Sequence, residues 1–190
     1  VNFGSTGSFQ ANSLYVGNVS GGRGVVEIGA GNTLKVTNTT GVVLGDNGGT
    51  GALYQSAGTI TLAGTTSADN FVIGKSAGSY GYFGVTGGTN LLSEFGIGSA
   101  YGGNGMLEVK GGLVRVSDYF LPSRADSGTG QRGIVNLLGG TVQVNNGGNN
   151  TTYDLAFNVG FSGANAKTSI MTVANDAMLW VTNRGINLNN

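Results

Sequence analysis

The chain has 190 residues, 38 of them glycine, one proline, no cysteine and no histidine, with nine basic and nine acidic side chains that cancel to zero net charge. Without Cys or His there is no disulfide, thiolate nucleophile or imidazole base, nor any of the usual zinc or haem ligands. Balanced, sparse charge offers no basic stripe for nucleic acid, no apolar run approaches a membrane span, and a single Pro without a G-X-Y period excludes collagen.

In chain order, one short apolar phrase keeps returning. It opens at Leu14-Tyr15-Val16-Gly17, Val42-Val43-Leu44-Gly45, Phe71-Val72-Ile73-Gly74, Phe95-Gly96-Ile97-Gly98, Phe120-Leu121-Pro122-Ser123 and Phe157-Asn158-Val159-Gly160, and a seventh begins at Ile186-Asn187-Leu188-Asn189. The openings recur at roughly 29-residue intervals, a period of stacked repeat architectures. The repeat units run roughly 14–41, 42–70, 71–94, 95–119, 120–156 and 157–185, with partial units at both ends of one solenoid domain spanning 1–190.

Inside each unit a second strand follows: Val26-Glu27-Ile28, Leu53-Tyr54-Gln55, Phe83-Gly84-Val85, Leu107-Glu108-Val109, Val135-Asn136-Leu137 and Met171-Thr172-Val173. A corner comes next, at Gly58, Gly87-Gly88, Gly111-Gly112 and Gly139-Gly140, with Asn175-Asp176 in its place in the last unit. Third strands are Leu34-Lys35-Val36, Ile60-Thr61-Leu62, Asn90-Leu91-Leu92, Val114-Arg115-Val116, Val142-Gln143-Val144 and Leu179-Trp180-Val181. Alternation turns the first and third residue of each triplet inward and the middle one outward. Three such strands per period, each ended by a residue able to take positive φ, make one turn of a three-sided coil that pairs in parallel with its neighbours. The expectation is an all-β parallel β-helix (β-solenoid) with three short strands per coil and six to seven coils. Leu14, Val42, Phe71, Phe95, Phe120 and Phe157 form one inward column. An antiparallel sandwich of short strands is the competing architecture.

The phrases Gly105-Met-Leu-Glu-Val-Lys-Gly-Gly-Leu-Val-Arg-Val116 and Gly133-Ile-Val-Asn-Leu-Leu-Gly-Gly-Thr-Val-Gln-Val144 resemble the passenger repeats of autotransporter proteins, over residues 14–190. The resemblance implies a right-handed parallel β-helix exported to the bacterial cell surface, serving as stalk, adhesin or biofilm component. It carries no catalytic residues to this chain. A start at Val1 agrees with a mature or excised segment.

Function in such a rod lies on its outward ladders, its insertions and its ends. The first-strand ladder, with Tyr15, Val43, Val72 and Leu121, is the least polar, which suggests contact with another copy or a covering loop; strand propensity on a solvated face is the commoner explanation. Trp180 ends the third-strand ladder. The long unit holds two insertions, one with Arg124, Asp126 and Arg132, the other an Asn/Thr-rich loop with Asn149 and Tyr153 suited to glycans. Decoration without function explains such loops as well. Asp46-Asn47, Asp69-Asn70 and Asn175-Asp176 are calcium candidates by residue type, with turn capping as the alternative; no cofactor motif is present. Asn18-Val-Ser20, Asn38-Thr-Thr40 and Asn150-Thr-Thr152 fit glycosylation acceptors.

Three roles remain: a non-catalytic extracellular protein that stacks end to end on further copies, a glycan-binding adhesin, and a polysaccharide lyase or hydrolase. The last needs clustered carboxylates, which are scattered here; Glu108 and Lys110 share a strand and a face as a simple charge pair. The expected partner is the chain itself, with glycans second and neither nucleic acid nor membrane insertion.

Overall fold

A computed structural model describes residues 6–38, 41–62, 71–98, 101–123, 130–145, 155–159, 167–182 and 185–188, with 155–159, 167 and 185–188 described as backbone alone. It is all β. Strands are numbered β1 to β18 along the chain. The first strands of the coils are β2 (Leu14–Val16), β5 (Val42–Leu44), β8 (Phe71–Ile73), β11 (Phe95–Ile97), β13 (Phe120–Pro122), β15 (Leu155–Val159) and β18 (Gly185–Leu188). They stack in that order as one 7-stranded sheet. Second strands are β3 (Arg23–Ile28), β6 (Thr50–Gln55), β9 (Tyr80–Val85) and β16 (Lys167–Val173), and third strands are β1 (Gly7–Ala11), β4 (Asn32–Val36), β7 (Thr59–Leu62), β10 (Thr89–Leu92) and β17 (Met178–Thr182). In two coils the second and third strands merge into β12 (Asn104–Val116) and β14 (Gln131–Asn145), which draws both sets into one 11-stranded sheet.

All ladders between these strands are parallel, which removes the antiparallel sandwich. About four turns of coil result, between β2 and β13, fewer than the six to seven expected; β15 and β18 continue the register beyond them. The corner expected to separate second from third strands is, in β12 and β14, a kink with register shifts at Val109, Lys110 and Leu113. Pairing to the neighbouring coil persists on both sides of Gly111-Gly112, so the strand bends without ending.

The register places like on like. Leu14 pairs with Val42, Val42 with Phe71, Phe71 with Phe95, Phe95 with Phe120 and Phe120 with Phe157. From Val42 to Phe120 this column is fully buried. Its rings meet at successive coils: Phe71 and Phe95 centroids lie 5.1 Å apart, edge to face, and Phe95 and Phe120 5.3 Å apart. Phe83 of the second strand stacks on Phe71 at 4.9 Å, joining the two sheets across the core. Each ring thus gains aromatic contact along and across the rod in addition to burial.

The residue closing each first strand turns the chain sharply. Gly17, Gly45, Gly74 and Gly98 all have positive φ, and a Cβ at Gly45 would sit 2.2 Å from the Tyr80 carbonyl oxygen. In the fifth coil Ser123 holds the same position at φ 58. Its hydroxyl compensates by accepting from the Gly133 amide at 2.7 Å and donating to the Thr168 carbonyl at 2.5 Å. At the second corner Asn175, at φ 58, stands where earlier coils use Gly58, Gly88, Gly112 and Gly140, as its sequence position predicts; its amide donates to the Leu138 carbonyl at 3.1 Å. Asn tolerates this region better than other residues that carry a Cβ.

Among the polar residues at inward positions, two bond to each other. Asn90 stands in the column of Ile60 and Val114, and Gln55 in that of Ile28 and Val85. Both are buried, and the Asn90 amide donates to Gln55 Oε1 at 2.6 Å while Gln55 Nε2 donates to the Gly58 carbonyl at 3.3 Å. Removing one partner strands a buried polar group; removing both restores the apolar column. Gln55→Leu or Asn90→Leu alone is therefore expected to cost about 1–3 kcal/mol, while the double variant returns close to wild-type stability. Urea unfolding of the four proteins checks this.

Candidate functional site

The first-strand ladder is not an exposed stripe. Tyr15 is exposed, but Val43, Val72 and Leu121 are buried. None of the three belongs to the main core cluster, so they are enclosed on the outer side of the sheet. Ser93, Glu94 and Tyr119, which lead into β11 and β13, are buried as well, so that side is closed within the chain itself. Of the two contacts expected at Val43, Val72 and Leu121, burial within the chain fits cover by the chain itself rather than a second copy.

Trp180 is exposed in the third-strand ladder beside Gln143, as alternation predicts. In the same ladder the Arg115 Nε donates to Gln143 Oε1 at 3.0 Å. Arg132 is exposed and pairs in register with Asn104 and Thr168 on the second-strand face. Arg124, Asn149, Tyr153 and the Asp69-Asn70 pair lie outside the described residues. Asp46 is buried in a turn: its Oδ1 accepts from the Asn47 amide at 2.8 Å and from the Ser76 hydroxyl, and its Oδ2 faces Lys75 at 3.7 Å. Those contacts are turn capping. Among the described residues no three Asp or Glu side chains come together.

The second-strand face carries the exposed apolar surface instead. These strands extend further back than the triplets, so a further outward column precedes Glu27, Tyr54, Gly84 and Glu108. It runs Val25, Ala52, Tyr82, Met106, Ile134 and Ile170, one residue per coil in register. Val25 and Ile170, at its two ends, are about half exposed.

One interruption shapes this face. Gly84 is the only glycine in the column Glu27, Tyr54, Gly84, Glu108, Asn136, Thr172, and it leaves a gap between the Tyr54 ring and the Glu108 carboxylate. Tyr82 leans into the gap: a Cβ at position 84 would lie 2.8 Å from its ring. The Tyr82 hydroxyl donates to Glu108 Oε1 at 3.2 Å, and Lys110 Nζ reaches the same oxygen at 2.6 Å. The Tyr54 and Tyr82 rings are 5.3 Å apart and tilted by 47°. Together with Gln55, Ser56, Val85 and Thr86 these groups line a recess of about 220 Å³.

Burial, then the Glu108 charge and its hydrogen bond, push the Tyr82 hydroxyl up to about 12. Glu108 and Lys110 form the pair expected from their shared face, with Lys110 half exposed and Glu108 largely covered. The triplet Phe83-Gly84-Val85 leaves Tyr82 outside the second strand, which starts at Tyr80. The signal was present in Tyr80-Gly81-Tyr82-Phe83-Gly84-Val85, where the alternation begins three residues earlier. The lining thus brings together two aromatic rings, a carboxylate, an ammonium and the four hydroxyls of Tyr54, Ser56, Tyr82 and Thr86.

Compared with known protein families, curated proteins and solved structures, the chain matches none.

The Tyr82 shift has a measurable consequence. A tyrosine whose folded value lies above its ordinary value keeps its proton in the native state after the unfolded chain has lost it, so its stabilisation is full below about pH 10 and lost as pH rises towards about 12. Subtracting the Tyr82→Phe absorbance titration from that of the wild type isolates this hydroxyl. Glu108→Gln is expected to lower its midpoint only part of the way towards 10, because burial remains the larger cause.

Proposed function

We propose that the chain is a non-catalytic structural rod of the bacterial cell surface, which associates end to end with further copies into a fibre, stalk or biofilm-matrix element. The observation that supports this is the in-register stacking of the described coils up to β1, the strand that carries Phe9. Phe9 pairs in register with Leu34 and so belongs to the inward column Leu34, Ile60, Asn90, Val114, Val142. Leu34 is 1% exposed, whereas Phe9 is 38% exposed, because β1 is the outermost strand at one end of the larger sheet.

A further parallel coil laid against β1 would cover the exposed part of the Phe9 ring. The same strand edge offers its backbone N–H and C=O groups along the rod axis, as a template for a parallel partner. Zero net charge places no electrostatic barrier between approaching copies. The extracellular setting rests on the resemblance of the Gly-Gly coils to autotransporter passenger repeats.

Sedimentation velocity and negative-stain microscopy test the reading. The wild type is expected to form longer rods as concentration rises, and Phe9→Asp to shift it to single rods with an unchanged circular dichroism spectrum. Single wild-type rods at every concentration, or filaments unaffected by Phe9→Asp, contradict it.

A further inference from the structure

The recess on the second-strand face has features that a purely structural coil does not require. In the stacked ladder Gly84 has no side chain between two large neighbours, Tyr54 and Glu108, and the Tyr82 ring leans over it instead. Tyr54, about half exposed, lines the recess together with Tyr82, Glu108 and Lys110. Its volume of about 220 Å³ falls below the roughly 300–1,000 Å³ of a pocket for a drug-sized ligand and suits a single ring.

The chemistry narrows the ligand. Tyr54 and Tyr82 supply two tilted aromatic faces, against which the C–H face of a saturated ring packs. Glu108 Oε1 is committed to the Tyr82 hydroxyl and to Lys110, which leaves the second carboxylate oxygen to accept from a ligand hydroxyl. Lys110 uses one of its three donors on Glu108 and has others to give. Carboxylate and ammonium sit 2.6 Å apart and cancel, so the recess gives no net advantage to a charged ligand. A ring with an apolar face and a rim of hydroxyl groups, without charge, is a neutral pyranose.

We propose that the recess opened by Gly84 between Tyr54 and Glu108 is a subsite for one neutral hexopyranose residue of an oligosaccharide. Tyr54 is the stacking platform, Glu108 and Lys110 read the hydroxyls, and Tyr82 holds the Glu108 carboxylate in place. The site lies on a single chain and does not depend on end-to-end association, so it stands or falls separately from that reading.

The test is amide chemical-shift mapping of the full chain titrated with neutral tetrasaccharides built from glucose, galactose, mannose or N-acetylglucosamine, and with an acidic tetragalacturonate. At least one neutral sugar is expected to shift the Tyr54, Gly84 and Thr86 amides at millimolar concentration or below. Tyr54→Ala is expected to weaken that binding by roughly tenfold or more, while Tyr80→Ala, on the neighbouring strand β9 and outside the recess, leaves it unchanged. Lys110→Met, at a half-exposed side chain whose loss leaves the fold intact, gives a second weakened variant. Absence of shifts with every neutral sugar, affinity retained in both Tyr54→Ala and Lys110→Met, or binding of tetragalacturonate alone overturns the proposal.

Discussion

The structure depends on one constraint: each coil must lie on the next in parallel, in register, at the strand spacing of about 4.8 Å. Backbone hydrogen bonds run along the rod, and the side chains follow them. A slip of one residue would exchange the inward and outward faces of a strand, sending Phe71 and Phe95 to the outer side of the sheet and Val72 and Gly96 to the core. Aromatic contacts between successive coils reinforce the registered arrangement, because Phe71, Phe95 and Phe120 meet only when the coils are aligned. Stability is accordingly a sum over neighbouring coils rather than the property of a single central core.

Departures from the repeat show how strongly the backbone path dominates side-chain preference. Ser123 accepts a left-handed conformation that four other coils give to glycine, and its hydroxyl takes up two backbone partners in return. Asn90 and Gln55 put amides into an apolar stack and bond to each other. Gly84 does the reverse, removing a side chain from a filled outward ladder, and the groups on either side become the walls of a recess. A local exception inside the rod is absorbed by its neighbours, whereas the same kind of exception on the surface shapes a recess.

The columns were legible in the sequence because their period is short and repeated. The pairing of Leu14, Val42, Phe71, Phe95 and Phe120, the outward placement of Tyr54, Gly84 and Glu108, and the corner role of Asn175 all follow from alternation and turn chemistry. Three features were not. Val43, Val72 and Leu121 read as outward, which is correct for the strand, but alternation cannot tell an outer face open to water from one covered by chain. Tyr82 was lost because the second strands extend beyond their triplets. The kink at Gly111-Gly112 resembles a turn in sequence, and only the persistence of pairing on both sides makes it part of one strand.

Intramolecular cross-linking tests the register most directly, since the chain has no cysteine to interfere. Lys35 and Thr61 are in-register neighbours, while Leu91 stands one further strand along the same outward ladder. Adjacent positions at about 4.8 Å fall within the Cα separations of about 4.4–6.8 Å that a disulfide spans, and positions two strands apart do not. Mild oxidation should close the bond in Lys35→Cys/Thr61→Cys and leave Lys35→Cys/Leu91→Cys reduced. Equal closure of the two pairs, or closure of the second alone, would contradict the stacked parallel coil.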